Sequence, residues 1–120
     1  MLEERLRRKR RRRIGVLGAG GWGTAIGKLL AERGHKVEIW CHEEEVAEEI
    51  NRRHANSRYL IGVDLPAGLE ASTDPIRTAS GKDCLFLAVP SPFLMNLVSR
   101  ILSAIDLKDG SSLIGVLSKG

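Results

Sequence analysis

Ile14-Gly15-Val16-Leu17-Gly18-Ala19-Gly20-Gly21-Trp22-Gly23-Thr24-Ala25 is the stretch on which the fold turns. It opens as a short apolar run ending in glycine, the pattern of a strand buried in a parallel sheet. Ala25, Ile26, Leu29 and Leu30 then recur at helical spacing until Gly34-His35 closes the helix. Between strand and helix, Gly18, Gly20 and Gly23 fall in the spacing G-x-G-x-x-G. Gly18 permits the tight turn, Gly20 lets a pyrophosphate approach the backbone, and Gly23 lets the helix pack close to the strand. The helix start adds unpaired N–H groups and a partial positive charge. Glycine is common, and the triplet alone says little. Set between a strand and a helix, it predicts a dinucleotide-binding α/β domain.

The pattern continues outward in alternation. Val37-Glu38-Ile39-Trp40 reads as a second strand, and Glu43 to His54 as a helix with acids at its start and Arg52 and Arg53 at its end. Asn56 to Asp74 is loop-rich, with a weak third strand near Leu69-Glu70-Ala71. Asp74-Pro75 can open a short helix, proline being tolerated at the first position. Cys84-Leu85-Phe86-Leu87-Ala88-Val89 is the clearest strand, apolar throughout. Ser91 is expected to cap a long helix whose Leu94, Leu97, Val98, Ile101, Leu102 and Ile105 form one stripe. Gly110 breaks it, and Leu113 to Leu117 makes a fifth strand. With right-handed crossovers, these elements give a Rossmann-type doubly wound parallel sheet of five strands in order 3-2-1-4-5.

At 120 residues the chain has room for a single domain, and its 42% apolar and 28% charged residues are ordinary for a soluble globular protein. No apolar run is long enough to span a membrane, and the basic N-terminus lacks the apolar segment of a secretory signal. Cys41 and Cys84 have no metal-site or redox-pair spacing, so both are expected as buried thiols in a reducing cytoplasm. Residues 1–13 carry eight Lys or Arg against two Glu, so the chain's +4 belongs to this arm and the remainder is mildly acidic. The expected division is a basic arm over 1–12 and a nucleotide-binding domain over 13–120. Such an arm suits a nucleic acid or an anionic membrane. Without aromatics or an apolar stripe it reads better as a solvated extension, and nucleic acid is not the expected partner.

In a sheet of this kind the ligand sits beyond the strand carboxyl ends, where the strand order reverses, here between strands one and four. Pro90-Ser91-Pro92-Phe93 should therefore face the glycine loop. Phe93 is free either to pack against the cofactor or to extend the stripe of its own helix. Cys41-His42-Glu43 ends the second strand, where an acid would take a ribose 2′-hydroxyl and a base a 2′-phosphate. One of each kind is present, so NAD and NADP both stay open. Lys119, at the end of strand five, points toward the same crevice, where a lysine can meet a phosphate or a carbonyl oxygen.

Five ordered segments, together covering 13–120, resemble the N-terminal domain of the soluble NAD(P)-dependent glycerol-3-phosphate dehydrogenases. They are Gly18 to Ala25, Ile39 to His42, Asn56 through Tyr59-Leu60 with Leu65-Pro66, Val89 to Phe93, and Ser118-Lys119-Gly120. The resemblance implies dinucleotide contacts from Gly21, Trp22, His42 and Phe93, and places Lys119 where it touches both cofactor and glycerol phosphate. It implies hydride exchange between dihydroxyacetone phosphate and sn-glycerol 3-phosphate, serving phospholipid synthesis. Ile61 departs from the family's usual proline after Tyr59-Leu60. The family's proton-handling lysine and substrate-phosphate grip belong to a helical C-terminal domain, so no catalytic residue is expected here and the chain reads as a truncated, cofactor-binding part. Its fifth strand would then be an apolar edge inviting self-association. A free-standing nucleotide-binding module, or a nucleic-acid-associated protein acting through the arm, are the competing readings.

Overall fold

The computed structural model describes Leu2, residues 11–105 and the backbone of Leu113–Val116. Four parallel strands, β1 (Arg13–Leu17), β2 (Lys36–Trp40), β3 (Leu69–Ser72) and β4 (Cys84–Leu87), alternate with helices. The helices are α1 (Gly21–Glu32), α2 (Glu44–Arg53), α3 (Pro75–Ala79) and α4 (Ser91–Ile101), the last followed by a 3₁₀ turn at Leu102–Ala104. In register, Val16 lies between Ile39 of β2 and Phe86 of β4, which makes β1 the centre of the sheet.

Strand side chains alternate between faces, so each strand feeds two cores. Ile14, Val16, Val37, Ile39 and Leu69 pack with Val46 and Ile50 of α2 on one face. Leu17, Leu85 and Leu87 pack with Ala79 of α3 and Leu97 and Ile101 of α4 on the other. Gly15 belongs to the second face, where an added Cβ would stand 2.6 Å from the Thr78 carbonyl oxygen. Its lack of a side chain is what admits α3 there.

The expectation of a five-stranded sheet in order 3-2-1-4-5 needs correction. Among the residues described with their side chains the sheet is four-stranded, in order β3-β2-β1-β4. Leu113–Val116 (β5) joins it as backbone, parallel to β4 with Leu85 opposite Ile114. A short apolar run signals a strand without showing which neighbours its side chains pack against.

Local signals fared differently. Asp74 caps α3 as expected, its Oδ1 accepting from the Ile76 and Arg77 amides at 3.0 and 3.4 Å, with Pro75 first in the helix. Ser91 is not the cap of α4; Pro90 holds that position and Ser91 is the first helical residue. Proline's fixed φ, −58° at Pro90, already suits the extended step into a helix, and Pro92 fits its first turn. The expected helix stops short, because α4 tightens into the 3₁₀ turn; of the expected stripe Leu102 is left exposed, while Ile105 still packs into the second core. Both cysteines are free thiols, but Cys84 is only half-buried, whereas Cys41 is fully buried. Of the expected arm, Leu2 and residues 11–12 are described; Arg12 is tied to the sheet through its N–H on His35 Nδ1 and its carbonyl on the Lys36 amide, both at 3.0 Å.

Candidate functional site

The glycine loop leaves β1 at the point where strand order reverses, and a cleft of about 760 Å³ opens there. That volume lies within the ~300–1,000 Å³ usual for ligand pockets. The cleft is lined by the loop itself, by Trp40, His42 and Glu43 from the end of β2, by Tyr59, and by the β4–α4 connection. Gly18, Gly20, Gly21, Trp22, Gly23, His42 and Phe93, all expected from sequence, therefore come together. Lys119 lies outside the described residues.

The loop glycines differ in what surrounds them. Gly18 has φ +127°, and a Cβ there would stand 2.4 Å from the Ala88 carbonyl oxygen. At Gly23 it would fall 1.9 Å from the Gly18 carbonyl oxygen, because α1 begins in contact with the turn before it. Both are demanded by the protein's own packing. Gly20, at the N-cap of α1, has an ordinary φ of −71°, and its Cβ would meet nothing within 4 Å. What Gly20 keeps clear is space in the cleft. The first amides of α1 have no partner within their own helix, as at every helix start, so this open corner is lined with donors suited to an anion.

Trp22 and Phe93 are 60% and 64% exposed at the cleft. At that exposure Phe93 does not extend the buried stripe of α4. His42 is exposed and meets Trp40 edge-on, with ring centroids 6.2 Å apart. Trp40 is itself fixed by an Nε1–H bond to the Thr73 carbonyl at 3.0 Å.

Sequence reasoning assigned no role to the segment that follows α2. His54 ends that helix in the left-handed conformation (φ 54°), and the chain turns back over the glycine loop. Asn56, fully buried, donates from Nδ2 to the Ala19 carbonyl at 3.0 Å and to Thr24 Oγ1 at 2.9 Å. Thr24 Oγ1 donates in turn to the same carbonyl at 3.2 Å. Tyr59 Oη donates to Glu43, and Arg58 lies 3.5 Å from the same carboxylate. That bond, with the carboxylate charge beside it, holds the Tyr59 hydroxyl above its ordinary pKa. Glu43, the acid expected to face a ribose, is thus already engaged by two neighbours. Asn96 and Arg100 of α4 complete the wall. The signals in the sequence were Thr24 among the apolar residues of α1 and the Asn56 to Leu60 stretch singled out by the family resemblance. Among the described residues no group of three His, Cys, Asp or Glu could hold a metal ion.

Residues 13–120 match the family model described as NAD-dependent glycerol-3-phosphate dehydrogenase N-terminus. A glycerol-3-phosphate dehydrogenase [NAD(P)+] of Corynebacterium urealyticum is 44% identical over 86 residues, which cover 72% of this chain and 26% of that protein. Among solved structures, glycerol-3-phosphate dehydrogenase from Coxiella burnetii superposes with a TM-score of 0.81 at 32% identity, covering 92% of this chain and 33% of that one. The enzyme from Saccharomyces cerevisiae gives 0.82 at 32% identity, covering 92% and 34%. The chain thus spans about a quarter to a third of the length of the relatives it matches.

Proposed function

This chain belongs to the NAD-dependent glycerol-3-phosphate dehydrogenase family, and on that premise we propose that residues 13–120 hold the dinucleotide of such an enzyme. The observation that carries the reading is Gly20, a glycine that no described atom of the protein requires, at a donor-lined helix start. Gly18 to Gly23 take the pyrophosphate. Trp22 and Phe93 flank the bound molecule, and His42 and Glu43 meet the adenosine ribose. Lys119 touches both cofactor and substrate. When bound, the nicotinamide gives or receives the hydride exchanged between dihydroxyacetone phosphate and sn-glycerol 3-phosphate.

The protein's share in this site is binding and orientation. His42, Glu43 and Tyr59 gather where β2 ends, so none is assigned the alkoxide proton of the reacting carbon. The chain alone therefore binds cofactor without turnover, and two free thiols suit a reducing cytoplasm. Among the described residues no helix is long and apolar enough to cross a membrane. The β5 edge favours association of copies at high concentration, which sedimentation velocity would reveal. The basic arm has no assigned role in this reading.

Calorimetric titration of the 120-residue chain with NADH and NADPH tests the proposal, alongside an assay with dihydroxyacetone phosphate. Saturable binding of either cofactor with no oxidation is expected. Binding of neither removes the dinucleotide reading, and turnover removes the assignment as the cofactor part alone.

A further inference from the structure

We infer that Asn56 is a positioning residue for the dinucleotide loop, turning the Ala19–Gly20 peptide so that its N–H rather than its carbonyl faces the phosphates. The inference rests on the dinucleotide reading above and adds a residue outside the glycine motif to it. Two donors, Asn56 Nδ2 at 3.0 Å and Thr24 Oγ1 at 3.2 Å, converge on the Ala19 carbonyl oxygen from the buried side. A trans peptide is planar, with its C=O and N–H pointing in opposite directions, and among the described residues there is no cis bond. Pinning the Ala19 oxygen inward therefore turns the Gly20 amide outward, to the corner where Gly20 leaves open space.

The neighbouring peptide is fixed as well, because the Gly20 carbonyl accepts the Thr24 amide at 3.0 Å. Both carbonyls of the turn are thus withdrawn from an incoming anion. Glycine resists rotation of its flanking peptides less than any other residue, so without a pin the Ala19–Gly20 unit could turn over and present oxygen to phosphate. A carbonyl facing phosphate repels where an amide attracts.

The two ends of the Asn56 side chain do separable work. Oδ1 accepts the Tyr59 amide at 3.2 Å, and the Asn56 carbonyl accepts the Leu60 amide at 2.8 Å, which closes the 56–60 loop. Only Nδ2 reaches the glycine loop. Asn56→Asp keeps the shape and the Tyr59 acceptor but removes the donor.

Calorimetry with ADP and AMP on the full chain, wild type and Asn56→Asp, reads the pyrophosphate contribution as a ratio of affinities. The ratio is expected to fall at least ~5-fold in the variant, the loss of a well-placed hydrogen bond to a charged group. Thr24→Val, which removes the second donor, should lower it in the same direction and carries the test if Asn56→Asp does not fold. An unchanged ratio in a folded variant, with ADP and AMP weakened equally, would make Asn56 merely structural and overturn the inference. Failure of the wild type to bind ADP, NADH or NADPH would instead overturn the dinucleotide reading beneath it.

Discussion

One methyl group separates the glycines of the loop into two kinds. At Gly23 it would collide with the Gly18 carbonyl oxygen at 1.9 Å, and backbone cannot yield there without shifting α1 off the sheet. Gly23→Ala should therefore destabilise the fold by ~2 kcal/mol or more, the range of overpacked core substitutions. Gly20→Ala meets no protein atom, so its melting temperature should hold within ~2–4 °C, while dinucleotide affinity falls ~10-fold or more. Thermal melts and calorimetry on the pair check this; a Gly20→Ala chain that binds normally would mean the corner is not used. Cys41 offers a second residue-level expectation. Burial, with the Glu43 charge adding, pushes its thiol from the ordinary 9.0 up to about 12. The folded value lies above the unfolded one, so this stabilisation is complete below pH 9.0 and is lost as pH rises toward about 12. Alkaline melts should show a decline over that window that is shallower in Cys41→Ala. In the native state at neutral pH, Cys41 should resist thiol reagents that reach half-buried Cys84.

Among the elements, β3 shows how an outer strand of this sheet is satisfied from the side. Asn51 of α2 donates from Nδ2 to the Ala71 carbonyl at 3.0 Å and accepts the Ala71 amide on Oδ1 at 2.8 Å. One side chain thereby pairs both backbone groups of an edge residue, as a neighbouring strand would. Asn51→Ala should cost ~1–3 kcal/mol, with urea melts as the measure, and should raise hydrogen exchange at the Ala71 amide. The same element illustrates what a sequence can disclose. Strands β1, β2 and β4 and the glycine turn were legible because their signals are local: apolar runs, helical spacing, glycines at a fixed interval. Asp74-Pro75 was legible for the same reason, since a cap and its partners lie within three residues. Ser91 misled because two prolines flank it, and Pro90 takes the cap position by its fixed φ. The Asn51–Ala71 pair, the Asn56 pin on Ala19 and the Tyr59–Glu43 bond span 16 to 37 residues. No spacing rule joins such positions; only the packed sheet brings them together. The glycine wall, His42 and the Pro90–Phe93 segment were therefore read early, and the bonds of the 56–60 loop only from the structure.

Across the whole molecule, the cleft is where separately stabilised parts meet. The α1–α2 core and the α3–α4 core lie on opposite faces of β1, and the 56–60 loop spans the mouth between Glu43 and the glycine turn. A dinucleotide in this position would bridge elements that the unfolded chain holds apart, so its binding free energy adds to folding stability. At NADH or NADPH one hundred times the dissociation constant, linkage gives ~2.7 kcal/mol. For a domain of this size that is a rise of ~10 °C in melting temperature, growing with the logarithm of ligand concentration. Gly20→Ala should remove about half of the rise or more at the same ligand concentration without lowering the ligand-free melt. Asn51→Ala should do the reverse, lowering the ligand-free melt while leaving the increment intact, because β3 lies away from the glycine turn. Differential scanning fluorimetry over a cofactor series for the three chains would check this. A rise that is equal in wild type and Gly20→Ala would place the ligand somewhere other than the glycine loop.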